Sequence, residues 1–287
     1  MIAADNIGDT VRSIGRYLEQ AGIDEAVNEA RLIIGHALGL TRSEVIGHKD
    51  KKLSETQLNC CRSFAKRRSN HEPMAYLTGE KEFWSLPFKV SPETLIPRPD
   101  SETLIDAVLN HARNADTPKR FLDIGTGSGC LLAALLSEWP ASTGIGIDNS
   151  DGAVSLARLN LDALGLAERG DVVAAEWPTY RPGEKFDLVI ANPPYIPTAD
   201  IPTLEPDVRD HEPLLALDGG PDGLAVHRQI ADQAGAVLKT GGMIAVEFGI
   251  DQSTFIRRIY DAAGFGSIHI HSDLSGKDRC LLATVIN

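Results

Sequence analysis

The chain has 287 residues, with 28 lysines and arginines against 40 aspartates and glutamates, which gives a formal net charge of −12. Hydrophobic residues make up 43% and charged residues 24% of the chain. These fractions are ordinary for a protein that buries a core, and they exclude intrinsic disorder, a collagen-like repeat and a disulfide scaffold. At roughly 150 residues per domain, the length predicts one large domain or a large one with a small one.

The sequence carries no pattern typical of membrane insertion, export or metal binding. The best apolar stretch, Cys130–Leu136, is far shorter than the roughly 18 residues that a spanning helix needs. The first residues lack the basic-then-apolar order of a signal peptide. No C-x-x-C pair and no zinc-like spacing with histidine occurs among Cys60, Cys61, Cys130 and Cys280. We therefore expect a cytoplasmic protein that binds no metal.

Residues 1–78 have apolar positions at helical spacing and no alternating strand pattern. Helices are predicted over Thr10–Leu18, over Glu25–Leu40 and from the candidate N-cap Ser54 to Arg68. This part of the chain is therefore predicted to form a small helical domain.

The pattern changes over residues 79–100. Lys81–Val90 alternates as a strand does but contains a proline, and Leu95–Asp100 is extended because residues before proline avoid the helical region. We expect a hairpin and a linker here, followed by a helix from about Ser101 to Ala112. Residues 101–287 would then form the second, larger domain.

From Arg120 onward, short apolar strands alternate with helices. Strands are predicted at Phe121–Ile124, Gly144–Ile147, Asp171–Ala174, Phe186–Ala191, Met243–Phe248, Ser267–His271 and Leu281–Val285. Helices are predicted at Gly129–Glu138, Asp151–Leu164, Leu224–Leu238 and Gln252–Ala263. This alternation is typical of a doubly wound, mostly parallel, Rossmann-like α/β sheet of seven strands. Ligands bind such sheets beyond the carboxyl ends of the strands, so the chemistry is expected in the loops after the first four strands.

A glycine-rich loop follows the first of these strands. The string Asp123–Gly129 has the spacing D-x-G-x-G-x-G, whereas a dinucleotide loop would need a glycine where Cys130 stands. Glycines allow positive φ and close approach of a ligand, and the helix N-terminus behind them offers unpaired N–H groups. The spacing resembles the first motif of S-adenosylmethionine-dependent methyltransferases. The predicted cofactor-binding residues here are Gly125, Thr126, Gly127, Ser128 and Gly129. A turn that serves only chain geometry is the weaker alternative.

Two further residues, at the ends of the second and third strands, extend this predicted cofactor site. Asp148 ends the second strand, where a carboxylate can accept hydrogen bonds from ribose hydroxyls. Capping of the following helix is the alternative role for Asp148. Trp177, just past the third strand, is predicted to pack against the adenine or, almost equally, into the core.

The fourth strand runs into Asn192-Pro193-Pro194-Tyr195, which are the predicted substrate-binding residues. Prolines stiffen the backbone and fix the direction of its carbonyls. The Asn192 side-chain oxygen and the Pro193 carbonyl can converge on one NH2 group, and Tyr195 adds an aromatic plane for stacking. This predicts methylation of a planar amino or amide nitrogen, with Asn192, Pro193 and Tyr195 as catalytic residues and Asn192 also near the cofactor. Catalysis would come from positioning and charge stabilisation, so neither His211 nor His227 is expected to act as a base.

Several strings occur together in an order that resembles the peptide chain release factor glutamine methyltransferases, the HemK/PrmC family. They are Tyr76-Leu77-Thr78-Gly79, Phe83-Trp84, Leu95-Ile96-Pro97-Arg98-Pro99-Asp100-Ser101-Glu102, the glycine loop and Asn192-Pro193-Pro194-Tyr195. The resemblance implies a class I methyltransferase fold, S-adenosylmethionine as cofactor and N5-methylation of the glutamine in the Gly-Gly-Gln motif of class 1 release factors. It also implies that domain 1–78 docks the protein substrate.

Charge in the N-terminal part is distributed differently from the rest of the chain. Arg42–Lys81 holds nine lysines and arginines against five acids, so its formal charge is 9 − 5 = +4. Either this is a solvated helix surface or it attracts an acidic partner, with Lys66-Arg67-Arg68 as the segment to test.

Three alternative functions fit parts of the pattern. A flipped adenine or cytosine amine could occupy the same N-P-P-Y loop, although a net charge of −12 argues against a nucleic-acid substrate. The enzyme could also methylate a glutamine of a ribosomal protein, or the chain could be a donor-binding module without turnover. The intact Asn192 and Tyr195 argue against the last of these.

Overall fold

The computed structural model describes residues 6–113 and 116–286 and contains two compact units. The first unit extends to Gly79 and also includes Glu205–His211, which no sequence pattern indicated. The second unit holds Glu80–Leu204 and the chain from Glu212 onward. None of the helices in the described ranges is long and apolar enough to cross a membrane.

The first unit is helical. Its helices are α1 (Ile7–Gln20), α2 (Ala26–Leu38), α3 (Arg42–Gly47), α4 (Glu55–Ser69) and α5 (Met74–Thr78). Ser54 caps α4 as predicted, because its side chain accepts from the backbone of Gln57 and the Gln57 side chain accepts in return. The core consists of buried apolar side chains at helical spacing, including Ile7, Ile14, Ile33 and Ile34.

Helices α3 and α5 were not predicted because each is too short to show an apolar period. Helix α3 has a local signal, a capping box in which Thr41 and Glu44 exchange hydrogen bonds. Helix α5 ends at Gly79, which has φ +73°.

The second unit begins with the predicted hairpin, formed by β1 (Glu80–Phe83) and β2 (Leu86–Lys89). A 3-10 turn at Pro99–Ser101 leads into α6 (Glu102–Ala112), so the helix predicted from Ser101 starts one residue later. Proline is well suited to this first turn, where its missing N–H has no helical partner to lose.

The remaining elements alternate between strand and helix. The strands are β3 (Arg120–Ile124), β4 (Thr143–Asp148), β5 (Gly170–Ala174), β6 (Phe186–Ala191), β7 (Leu238–Glu247), β8 (Phe265–Ser272) and β9 (Asp278–Val285). The helices are α7 (Cys130–Glu138), α8 (Asp151–Ala163), α9 (Pro206–Arg209), α10 (Ala225–Val237) and α11 (Ser253–Ala262), of which α9 lies in the segment of the first unit.

The seven strands form one sheet in the order β5-β4-β3-β6-β7-β9-β8. Strands β3 to β7 pair in parallel, whereas β9 is antiparallel to both of its neighbours. The predicted doubly wound, mostly parallel sheet is therefore confirmed. The chain moves outward from β3 to β5 and then returns to β6 on the other side of β3, which places the switch point at the end of β3.

Strand β7 begins at Leu238, five positions before the predicted Met243. Its first half contains Gly241-Gly242, a pair that indicates a turn when the sequence is read alone. Pairing of Leu238 with Phe186 across a register shift adds this segment to the sheet. Tertiary pairing thus overrides the local glycine signal.

Candidate active site

A cavity of about 390 Å³ opens at the carboxyl ends of β3, β4 and β6. Most of the residues predicted for the cofactor and substrate sites line it: Gly125, Thr126, Gly127, Ser128, Asp148, Trp177, Asn192, Pro193 and Pro194. Of the predicted set, Gly129 and Tyr195 are not in the cavity wall. Residues more than 60 positions apart in the chain meet here because parallel strands end at the same edge of the sheet.

The glycine loop is fixed to the end of β4 by its own backbone. The N–H groups of Gly125 and Thr126 both donate to the carbonyl of Ile147, at 2.9 and 3.0 Å. The N–H of Gly127 donates to Asp148 Oδ2 at 2.9 Å, so these three donors have partners within the protein. At Gly125, which has φ +69°, an added Cβ would meet nothing within 4 Å. The loop therefore contributes open space and a left-handed backbone conformation to the cavity.

Asp123 supports the loop from below. Its side chain is fully buried, and its Oδ2 accepts from the Thr126 hydroxyl at 2.6 Å. Burial, together with the charge of Asp148, raises the pKa of Asp123 to about 7, although the Thr126 hydrogen bond acts in the opposite direction. Thr126 in turn lies so close to Gly146 that a Cβ there would come within 2.8 Å of the Thr126 hydroxyl. The acid before the glycines thus locks the loop onto the neighbouring strand.

Asp148 is held in one orientation by two backbone donors. Its Oδ2 accepts from Gly127, and its Oδ1 accepts from the N–H of Ser150 at 3.0 Å. Helix α8 is capped by Ser150, which accepts from Ala153 at 3.2 Å, rather than by Asp148. Each carboxylate oxygen accepts up to two hydrogen bonds, so both retain capacity for a ligand in the cavity.

Trp177 both packs into the core and lines the cavity, which are the two roles that the sequence left open. Its ring packs against the apolar side chains beside α10 and also lines the cavity. Its Nε1 donates to the backbone carbonyl of Gln229 at 3.1 Å. This bond fixes the indole at the cavity edge, where an aromatic surface is available for stacking.

The backbone of the N-P-P-Y loop is held by the segment between α9 and α10 and by Gln252, just before α11. Gln252 Nε2 donates to the carbonyl of Tyr195 at 3.0 Å. Gly223 packs so closely that a Cβ there would lie 2.3 Å from the same carbonyl oxygen. Ile196 exchanges backbone hydrogen bonds with Leu217 and Gly219, at 3.1 and 2.9 Å. The backbone that directly follows the two prolines is therefore held by tertiary contacts, in addition to the stiffness of the prolines themselves.

The Tyr195 side chain leads away from the cavity wall to a buried carboxylate. Its hydroxyl donates to Glu247 Oε1 at 3.4 Å, and Glu247 is 1% exposed. Burial, reinforced by the charge of Glu247, raises the pKa of Tyr195 well above its usual value, so the hydroxyl is neutral. Burial also raises the pKa of Glu247 to about 7, opposed by the polar Ser101 hydroxyl and by the charge of Arg279.

The segment around Arg98 contains residues that the sequence analysis did not assign to the site. Arg98 pairs with the buried Glu212 at 2.5 Å, and Glu212 also accepts from the N–H of Ile96 at 3.1 Å. Ser101, which is 3% exposed, accepts a hydrogen bond from Asn192 Nδ2 at 3.0 Å. The available signal was the P-R-P-D-S-E string itself, one of the strings on which the family resemblance rests.

Neither histidine considered as a base lies in the cavity wall. His227 is fully buried in α10, edge-on to Tyr260 with ring centres 6.4 Å apart, and burial lowers its pKa to about 3. His211 belongs to the first unit, where its Nε2 lies 2.9 Å from the carbonyl of Asn70.

Ion pairs neutralise most of the positive charge of Lys66-Arg67-Arg68, the segment that tests for attraction of an acidic partner. Arg68 is buried and pairs with Glu29 at 2.5 Å and Asp207 at 2.9 Å. Arg67 pairs with Glu72 at 2.5 Å. Two of the three cations in Lys66-Arg67-Arg68 are therefore already paired within the first unit.

Two family models match the chain. The one described as the PrmC N-terminal domain matches residues 9–79, and the one described as the methyltransferase small domain matches residues 100–203. Among solved structures, the hMettl16 catalytic domain in complex with an MAT2A 3′UTR hairpin has a TM-score of 0.58 at 14% identity, covering 82% of this chain and 84% of that one. A methyltransferase from Pyrococcus furiosus has a TM-score of 0.52 at 15% identity, covering 72% and 92%. At these identities the likeness shows the methyltransferase fold.

Curated relatives are much more similar in sequence. The release factor glutamine methyltransferase of Caulobacter vibrioides is 43% identical, over 92% of this chain and 91% of that protein. Those of Rhodospirillum rubrum and Vibrio cholerae are 41% and 39% identical, over 93% and 95% of this chain and 81% and 94% of theirs. Together with the two family models, these matches show that the chain belongs to the release factor glutamine methyltransferase family.

Proposed function

We propose that the protein transfers a methyl group from S-adenosylmethionine to the side-chain nitrogen of the glutamine in the Gly-Gly-Gln motif of class 1 release factors. The observation that carries this proposal is the position of Asn192, which lines the same cavity as the glycine loop and holds its amide nitrogen away on Ser101. Relatives that are 37–43% identical are release factor glutamine methyltransferases, which indicates a release factor as the protein substrate.

The cavity has the groups that this donor requires. Asp148 would accept from the ribose hydroxyls, Trp177 would pack against the adenine, and the loop Gly125–Gly129 would lie along the rest of the donor. The absence of a Cβ at Gly125 leaves room for close approach. When bound, the donor supplies an electrophilic methyl group.

Asn192 and Pro193 would prepare the glutamine for reaction. An amide nitrogen is a weak nucleophile because its lone pair is delocalised into the carbonyl. Two acceptors, Asn192 Oδ1 and the Pro193 carbonyl, would bind its two N–H groups, fix its orientation and stabilise the positive charge that develops on nitrogen. Methylation makes the nitrogen acidic, so it can lose its proton to water without a dedicated base. The neutral, buried His227 is in keeping with this chemistry.

The proposal assigns a role to each predicted region of the chain. Residues 1–78 would dock the release factor, 79–100 would form the hairpin and linker, and 101–287 would carry out methyl transfer. Since Arg67 and Arg68 are already paired, the exposed Lys49, Lys51 and Lys52 are the better candidates for attracting an acidic partner.

A methyl-transfer assay tests the proposal directly. The protein is incubated with radiolabelled S-adenosylmethionine and, separately, with an unmethylated release factor and with its Gly-Gly-Gln variant in which glutamine is alanine. We expect label in the first protein and background in the second, with mass spectrometry placing one methyl group on the glutamine.

Two further arms of the assay separate the alternatives. Unmethylated DNA and RNA test a nucleic-acid amine as substrate, and ribosomal proteins test a different protein glutamine. Label in nucleic acid, or equal label in the release factor with and without its glutamine, would contradict the proposal.

A further inference from the structure

The side-chain amide of Asn192 has two ends with opposite hydrogen-bonding character. The nitrogen is a donor and the oxygen is an acceptor, and rotation by 180° about the last bond exchanges them at almost no cost in shape. The proposed chemistry needs the oxygen to face the glutamine. A donor in its place would repel the N–H groups of the substrate, so something must select one orientation.

Ser101 provides that selection. Asn192 Nδ2 donates to Ser101 Oγ at 3.0 Å, which leaves Oδ1 on the other branch of the planar amide. Asn192 itself lines the cavity, and Ser101 is 3% exposed, so water does not readily replace this bond. If the amide flipped, its oxygen would face Ser101, and that pairing holds only if the serine hydroxyl is free to donate.

Glu247 removes that freedom. The Glu247 carboxylate acts on Ser101 at close range: it is 1% exposed, its Oε2 has no hydrogen-bond partner among the described residues, and the Ser101 hydroxyl opposes the rise in its pKa. When ionised, this carboxylate only accepts, so it is the natural acceptor for the single Ser101 proton. With that proton directed to Glu247, Ser101 has only lone pairs to offer Asn192, and the series has one direction from Asn192 through Ser101 to Glu247.

Both supporting residues are themselves fixed. Glu247 is the last residue of β7, accepts from Tyr195 at 3.4 Å and lies near the charge of Arg279. Arg279 is buried and forms ion pairs with Asp100 at 3.1 Å and with Asp273 at 3.0 Å. Asp100 is the residue directly before Ser101 in the chain.

The residue after Ser101 is fixed as well. Glu102 accepts from the N–H of Trp84 at 2.9 Å. Ser101 is thus held by contacts of the residues on both sides of it.

We propose that Ser101 and Glu247 are positioning residues that orient the Asn192 side chain so that its oxygen faces the substrate amide. This inference rests on the proposed methylation of a glutamine side chain. It assigns the serine of the P-R-P-D-S-E string to catalysis through Asn192, and it assigns the carboxylate at the end of β7 to the same series. Neither residue needs to touch the glutamine.

The test compares Ser101→Ala and Ser101→Thr with the unaltered protein. Alanine removes the acceptor for Asn192, and we expect kcat to fall about 10- to 100-fold, the range typical for loss of a positioning contact. The dissociation constant of S-adenosylmethionine, measured by calorimetry, should change less than about threefold, since one lost neutral hydrogen bond away from the donor loop is a small effect. Threonine keeps the hydroxyl and should recover most of the lost kcat.

A second pair of variants tests the carboxylate. Glu247→Leu removes the acceptor of the Ser101 proton, whereas Glu247→Gln keeps an acceptor oxygen in the same volume. We expect a larger fall in kcat for leucine than for glutamine. The thermal unfolding midpoint of each variant identifies any that fail to fold.

A double-variant cycle distinguishes positioning from a general structural role. If Ser101 acts through Asn192, adding Ser101→Ala to Asn192→Ala should change the single-turnover rate less than about threefold, because coupled residues are not additive. Full additivity, an unchanged kcat in Ser101→Ala, or an equal loss of donor affinity would overturn the inference. If the unaltered protein itself does not methylate a release factor, the proposed function fails instead.

Discussion

Asn192 is the side chain on which the proposed chemistry depends, and its surroundings separate two roles. It lies in the cavity wall beside both the glycine loop and the prolines, so it could hold the donor, the glutamine or both. Its nitrogen is already bound to Ser101, which leaves the oxygen as the group available for a ligand. An acceptor of this kind suits an amide N–H of the substrate.

Replacement of Asn192 by alanine tests which role dominates. We expect kcat to fall about 100-fold or more, as when one preorganised group is removed from a transition state. The dissociation constant of S-adenosylmethionine should rise less than about fivefold, because Asp148 and the glycine loop remain. Steady-state kinetics and calorimetry measure the two effects, with the exposed Asn59→Ala as control. Equal losses in rate and donor affinity would instead assign Asn192 to donor binding.

At the scale of single residues, the sequence predicted which side chains line the cavity better than it predicted what each of them contacts. Asp148 and Asn192 were both named from their places at strand ends. The bonds of Asp148 to Gly127 and of Asn192 to Ser101 were not predicted, since each joins segments that are distant in the chain. No periodicity or local propensity carries that information.

Among the elements, the glycine loop offers a closely matched comparison. Gly125 and Gly165 both have φ +69°, and at both an added Cβ would meet nothing within 4 Å. Only Gly125 lines the cavity, whereas Gly165 is exposed after α8. Alanine imposes the same backbone strain at the two sites, about 1–2 kcal/mol.

Alanine at these two positions therefore separates strain from ligand contact. We expect both variants to lose similar stability in thermal unfolding. Gly125→Ala should also weaken S-adenosylmethionine binding about tenfold or more, because the new methyl group enters the donor space, while Gly165→Ala should not. Unaltered donor affinity in Gly125→Ala would show that the donor lies elsewhere.

The elements themselves were predicted where their patterns were long. Strand β6 is apolar at every position except Asp187, and α4 has both a cap and an apolar face, so each was recognised. The first half of β7 was missed because Gly241-Gly242 reads locally as a turn. Its strand conformation depends on pairing with β6, which only the assembled sheet supplies.

For the molecule as a whole, the buried histidine makes stability depend on pH. His227 has no hydrogen-bond partner for either ring nitrogen among the described residues, and burial lowers its pKa to about 3. In the unfolded chain its pKa is about 6.5. As the pH falls below that value, the unfolded state binds a proton that the folded state does not, so stability is lost.

Replacement of His227 by phenylalanine should remove this loss. Between pH 8 and pH 5 the unaltered protein should lose about 2 kcal/mol more unfolding free energy than the variant. Urea unfolding at both pH values measures the difference, with the exposed His48→Phe as control. Asp123 and Glu247, whose raised pKa values act in the opposite direction, are common to both proteins and cancel. An identical pH dependence would show that His227 is protonated in the folded state.

The sequence by itself determined the fold class and the family resemblance and predicted most of the residues that line the candidate site, because each is written in local strings: apolar runs, the glycine spacing and N-P-P-Y. Only the tertiary structure decided that Glu205–His211 belongs with the first unit, that Arg68 is a buried ion-pair partner and that Ser101 meets Asn192. A local string fixes backbone preferences over a few residues. Partners that are many positions apart are chosen by the order of strands in the sheet, and that order minimises the free energy of the whole chain rather than of any segment.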